Sequence, residues 1–69
     1  MLSHYTVTGM TCDHCRAHVV EEVSAVPGVE AVEVDLASGA MAVTSADGVP
    51  FAAIADAVAE AGDYTVAPV

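Results

Sequence analysis

Two rhythms of apolar and polar positions alternate along this chain. Leu2–Val7 places Leu2, His4 and Thr6 on one side and Tyr5 and Val7 on the other, and its β-favouring residues predict a first strand that Gly9 closes. From Arg16 to Ala25 the period lengthens: Val19, Val20, Val23 and Val26 recur at helical spacing, with Arg16, His18, Glu21, Glu22 and Ser24 filling the polar face. Thr11 or Asp13 is placed to cap that helix, and Pro27-Gly28 stops it. Alternation returns over Val29–Leu36, with Val32, Val34 and Leu36 inward and Glu33 and Asp35 outward, which predicts a half-buried strand. Ala37-Ser38-Gly39 supplies turn residues, and Met41 and Val43 continue an inward face as the hairpin partner. After the loop Ala46-Asp47-Gly48-Val49, Pro50 suits the first position of a second helix. Phe51, Ile54, Val58 and Ala61 line one side of that helix, and Gly62 ends it. Tyr64–Ala67 reads as a short last strand, with Pro68 acceptable at a sheet edge.

The predicted order is strand, helix, strand, strand, helix, strand. Two such strand–helix–strand units form an α+β, ferredoxin-like βαββαβ fold: a four-stranded antiparallel sheet with both helices on one face. No linker, repeat or low-complexity segment divides the chain, so residues 1–69 read as one domain.

Composition sharpens this picture. The 69 residues are near the lower limit for a self-sufficient core, and the 55% apolar fraction is mostly Ala and Val, with no Trp and one Phe, so the core is thin and built from small side chains. No apolar run approaches a membrane span, and no basic start followed by an apolar segment suggests a secretory signal; a cytoplasmic protein without membrane insertion is the simplest expectation. Ten Asp and Glu face one basic residue, Arg16, for a net charge of −9. That balance disfavours nucleic acid as a partner, since nothing is available to neutralise phosphates. It fits solubility first, and steering toward a partner with a basic face second.

The candidate chemistry is concentrated in Gly9-Met10-Thr11-Cys12-Asp13-His14-Cys15, which holds both cysteines as Cys-x-x-Cys where a loop becomes a helix. Thiolates are soft donors that select Cu(I), zinc and iron–sulfur clusters. Unpaired N–H groups and the helix dipole favour negative charge there, so the spacing predicts a lowered thiolate pKa, most for Cys15. Two ligands suit Cu(I), which accepts a near-linear pair; a zinc site usually takes four, for which His14 and His18 are the only nearby imidazoles. The competing readings of the cysteines are a redox disulfide and a pair of inert thiols. His14 reads equally well as a solvated loop residue or as an auxiliary group when two molecules share an ion.

The seven-residue loop, followed by Val19 and Val23, Val26-Pro27-Gly28-Val29, and Ala61-Gly62 with Tyr64, resembles the heavy-metal-associated domain family over the whole chain. That family includes small copper chaperones and the amino-terminal domains of copper-transporting P-type ATPases. The resemblance implies the same ferredoxin-like fold, Cys12 and Cys15 as ligands, and Met10 packed beneath the loop rather than bound to metal. Tyr64 matches an aromatic that bacterial members carry near the metal loop, where it shields the site and its hydroxyl reaches a cysteine sulfur. Thr11 stands where zinc-transporting relatives tend to carry Asp, which favours copper. One departure is Asp63, inserted between Gly62 and Tyr64; it puts the placement of Tyr64 in question and sets a carboxylate near the thiolates.

The resulting expectation is a carrier and not an enzyme: a Cu(I) metallochaperone passing its ion by thiolate exchange to the metal-binding domain of a copper-transporting P-type ATPase or to a copper-responsive repressor, with a copper-bridged homodimer as one state. The alternatives are an amino-terminal regulatory domain of a heavy-metal ATPase, a zinc-binding member of the same family, and a thiol–disulfide oxidoreductase. No Pro lies between the cysteines and no second thioredoxin-like element follows, which counts against the last.

Overall fold

The computed structural model describes all 69 residues, Met1–Val69. Its elements are β1 (Leu2–Thr8), α1 (Asp13–Ser24), β2 (Val29–Val34), β3 (Ala40–Ser45), α2 (Phe51–Ala61) and β4 (Thr65–Pro68). The strands form one antiparallel sheet in the order β2-β3-β1-β4, with β1 and β3 central. Both helices pack together, α1 against β2 and α2 against β4, which is the ferredoxin-like arrangement that the alternating periods predict.

Burial follows the sheet's two faces. Tyr5 and Val7 of β1 and Met41 and Val43 of β3 point under the helices, where Val19, Val23, Ile54, Ala57 and Val58 meet them. Leu2, His4, Thr6 and Thr8 face the other way and are exposed. The largest side chains less than 2% exposed are Met41 and Ile54, so a core of valines and alanines turns on two bulky residues.

Several element ends differ from the periodicity. Helix α1 begins at Asp13, three residues before Arg16 where the periodic segment starts, because Cys12 is extended (φ −156°, ψ 170°) and its carbonyl already accepts from Arg16 N at 3.2 Å. No side chain caps that start, so neither Thr11 nor Asp13 has the capping role. Strand β2 stops at Val34 instead of Leu36 because Asp35 opens the turn: its Oδ1 accepts from Ala37 N at 3.0 Å, and its carbonyl accepts from Gly39 N at 2.8 Å. Pro50 lies just outside α2 as its N-cap (ψ 139°), not at the first helical position. Phe51 remains 41% exposed and leans on Tyr5 with ring centroids 6.0 Å apart.

Three connections gather at one end of the molecule. Val7 N donates to Gly39 O at 2.8 Å, which brings the β2–β3 turn alongside the end of β1, from which the Gly9–Cys12 loop departs. The Gly62–Tyr64 connection reaches the same place, since Gly9 lies against Asp63 and Tyr64.

Candidate metal centre

Strand β1 and helix α1 deliver the two cysteines to that end. Cys12 is the last extended residue before the helix, and Cys15 lies in its first turn. An extended residue and a helical one three positions later turn their side chains together, and the sulfurs stand 3.4 Å apart. Both thiols are free; Cys12 is exposed and Cys15 half-buried.

Thr11 has a role that the sequence did not reveal. Its Oγ1 lies 3.9 Å from the Cys15 sulfur, and its main chain helps to lower that thiol's pKa, so it serves the thiol instead of capping the helix. The only signal in the chain was a hydroxyl residue four positions before Cys15 in the approach to a helix.

Tyr64 arrives from the opposite half of the chain. Its N–H donates to Gly62 O at 2.9 Å, closing a tight turn. A Cβ on Gly62 (φ +157°) would fall 2.8 Å from the Tyr64 ring, and one on Gly9 (φ +108°) would fall 3.2 Å from it. Two glycines therefore form the slot that the ring occupies. The insertion of Asp63 leaves Tyr64 beside the loop, and the carboxylate acts on the phenol, whose pKa is raised first by its hydrogen bond to Cys15, then by desolvation, and further by the charges of Cys15, Cys12 and Asp63.

The Cys15 thiol is lowered from 9.0 to about 6. The largest cause is the Tyr64 hydroxyl, which donates to the thiolate; the Thr11 main chain, Cys12 and the Thr11 hydroxyl add to it against a small desolvation penalty. Tyr64 favours the charged thiolate more than any other group. At neutral pH one of the two sulfurs is thus ionised before any metal arrives.

The other residues singled out from the sequence fall outside this pair. Met10 is half-buried and packs against the core beneath the loop. His14 is exposed, and nowhere in the molecule do three or more His, Cys, Asp or Glu side chains converge as a metal-holding group. His18 lies farther along α1 with Glu21, Glu22 and Glu60. No helix is long and apolar enough to cross a membrane.

Known proteins are similar to this chain in sequence and in fold. The curated relatives include the mercuric reductase of Serratia marcescens, 43% identical over 61 residues, and that of Shigella flexneri, 45% identical over 38. These alignments cover 88% and 55% of this chain, which spans only 13% and 7% of those much longer proteins. Among solved structures, the CopZ metallochaperone superposes with a TM-score of 0.87 at 28% identity, covering 97% of this chain and all of the other. A putative copper-ion-binding protein of Bacillus anthracis gives 0.84 at 31%, covering 97% and 94%. Oxidized MerP of Ralstonia metallidurans CH34 gives 0.86 at 29%, covering 99% and 94%. Residues 4–63 match the heavy-metal-associated domain family. A match of that reach, laid over the loop that carries both thiols, makes this chain a member of the heavy-metal-associated domain family.

Proposed function

We propose that residues 1–69 act as a single carrier domain that binds one Cu(I) between Cys12 and Cys15 and releases it to a partner by exchange of thiolates. The observation that carries this reading is the donor count: two sulfurs 3.4 Å apart, with no third His, Cys, Asp or Glu beside them. A linear S–metal–S unit with bonds of about 2.3 Å needs sulfurs about 4.6 Å apart, an opening that rotation of the exposed Cys12 side chain supplies. Zinc lacks the two further ligands that it usually takes, so a zinc-binding reading is weaker. Cu(I) tolerates two ligands and stays open to a third, so an incoming thiolate adds before a resident one leaves and the ion is never free.

In this reading Cys15 is the ionised first ligand, Cys12 the exposed and mobile second one, and Tyr64 the cover that holds Cys15 as thiolate. Met10 anchors the loop from below and binds no metal. The receiving partner is the metal-binding domain of a copper-transporting P-type ATPase or a copper-responsive repressor, with a copper-bridged homodimer as the intermediate that an open coordination site allows. The same 69 residues serve equally well as the amino-terminal domain of such an ATPase, and in either role the domain acts in the cytoplasm. No chemistry beyond binding and exchange is asked of the site.

One observation favours a second cargo. The relatives matched at 43% and 45% identity are mercuric reductases, and Hg(II) is another soft ion that two thiolates hold. Anaerobic titration of the reduced protein with Cu(I), Hg(II) and Zn(II), each against a competing chelator, separates the readings. Cu(I) bound one per molecule and kept in the presence of equal zinc supports the copper carrier. Preference for zinc, or no Cu(I) retained, overturns it.

A further inference from the structure

The sheet has a second face, on which no helix lies. Tyr5, Val7, Met41 and Val43 point under the helices, so the alternate positions of the same strands look outward: Leu2, His4 and Thr6 on β1, Ala40, Ala42 and Thr44 on β3. On β2 the outward positions are Ala31 and Glu33. This face is nearly free of charge in a chain of net charge −9. Half of the ten carboxylates, Asp13, Glu21, Glu22, Asp56 and Glu60, belong to the helices on the opposite side. Glu33 is the strand carboxylate that alternation sets on the open face, while Glu30 lies at the irregularity between Val29 and Ala31.

Register orders the open face into rows with β3 between β1 and β2. His4 pairs with Ala42, which pairs with Glu33; Leu2 pairs with Thr44, which pairs with Ala31. One row thus has an imidazole and a carboxylate on either side of β3, and the next has a leucine 61% exposed opposite an alanine. Neither His4 nor Glu33 is ion-paired in its own molecule, whose one such contact joins Arg16 to Asp13.

We propose that this face packs on the same face of a second copy about a twofold axis running along β3, so that His4 of each molecule meets Glu33 of the other. That axis exchanges the places of β1 and β2 at the same level along the strands. A single operation therefore makes two imidazole–carboxylate pairs, sets each Leu2 over Ala31 of the other copy, and leaves the small Ala40 and Ala42 side chains together at the centre. An axis running across the strands instead would bring Glu33 against Glu33, which like charge disfavours. The helix carboxylates stay on the outer layers, where their mutual repulsion is least. Three overlapping strands, about 4.8 Å apart and about 20 Å long, cover roughly 300 Å² in projection. That is well under the roughly 800 Å² per partner of a stable complex, so the dimer is weak, with a dissociation constant on the order of 0.1–1 mM. Both metal loops lie at the same end of it, each beside its own helix, with the sulfurs uncovered. The pairing needs no metal and is independent of the carrier reading.

Sedimentation equilibrium of the reduced, metal-free protein from about 0.05 to about 2 mM, in about 0.15 M salt, tests it. A monomer–dimer equilibrium is expected, with concentration-dependent ¹⁵N shifts centred on Leu2, His4, Ala31, Glu33 and Ala42. His4→Asp puts carboxylates opposite each other twice and should weaken the dimer at least about tenfold. His4→Asp combined with Glu33→Lys restores opposite charges and should return it to within about threefold of the wild type, whereas Asp56→Asn on α2 should change it less than about twofold. All three positions are exposed, and circular dichroism checks that each variant keeps the fold. A monomer at every concentration, shifts centred on the helices, or a double variant that does not recover overturns the proposal. Alkylating both cysteines should leave the association unchanged. Association that appears only with Cu(I) overturns the proposal and leaves the carrier reading standing.

Discussion

The hydroxyl of Tyr64 does more to ionise the Cys15 thiol than any group in the loop that carries Cys15. The two residues belong to different halves of the chain and shift each other in opposite senses, the thiol down to about 6 and the phenol up. A donor hydroxyl stabilises the thiolate that it faces, and that thiolate in turn disfavours a phenolate.

Tyr64→Phe is therefore expected to move the Cys15 titration upward from about 6, read as thiolate absorbance against pH in the reduced, metal-free protein. The sign for stability follows from linkage. Cys15 is lowered from 9.0 in the unfolded chain to about 6 in the fold, so its stabilisation is complete above about pH 9 and is lost as pH falls through 6. Denaturation midpoints of the wild type should rise between those values, and Tyr64→Phe should flatten the rise. An unchanged Cys15 titration in the variant would contradict the contact.

Replacing either cysteine by Ser removes half of the proposed ligand set. Cu(I) affinity measured against a chelator should fall by orders of magnitude, since a hydroxyl is a poor donor for a soft ion. Met10→Leu keeps a similar volume on the core and should leave that affinity within about threefold of the wild type. A large loss on Met10→Leu would make the thioether a ligand.

Gly62→Ala places a methyl group 2.8 Å from the Tyr64 ring, on a backbone at φ +157°. The ring has to leave its slot, at a cost of about 1–3 kcal/mol. The variant should reproduce the upward Cys15 shift of Tyr64→Phe while retaining the hydroxyl. If thermal unfolding shows the strain but the Cys15 titration stays near 6, the slot does not position the phenol.

Ile54→Ala should cost about 2–5 kcal/mol in chemical denaturation, because Ile54 is fully buried and one of the two bulky anchors of a small-residue core. Phe51→Ala should cost less, as its ring is 41% exposed and makes one stacked contact with Tyr5. Equal losses would place Phe51 in the core, as its helical spacing had suggested.

The order of strands and helices, the inward residues Val19, Val23, Met41, Val43, Ile54 and Val58, and the placing of Cys12 and Cys15 at a helix start were all legible along the chain, whereas the alternation of β1 separated Tyr5 and Val7 from Leu2, His4 and Thr6 without showing which side is buried. Each depends on neighbours within a few positions: a period of two or of nearly four residues, a Pro-Gly stop, a Cys-x-x-Cys spacing. Where elements end was less legible, because Asp35 and Cys12 end or begin them by hydrogen bonds that periodicity does not encode. Only the tertiary structure decided that Thr11 serves the Cys15 sulfur instead of capping α1, that Gly9 and Gly62 together make room for Tyr64, and that Asp63 leaves that ring beside the loop. These relations join residues far apart in sequence, and a pKa depends on what stands within a few ångströms of a sulfur, whatever its distance along the chain.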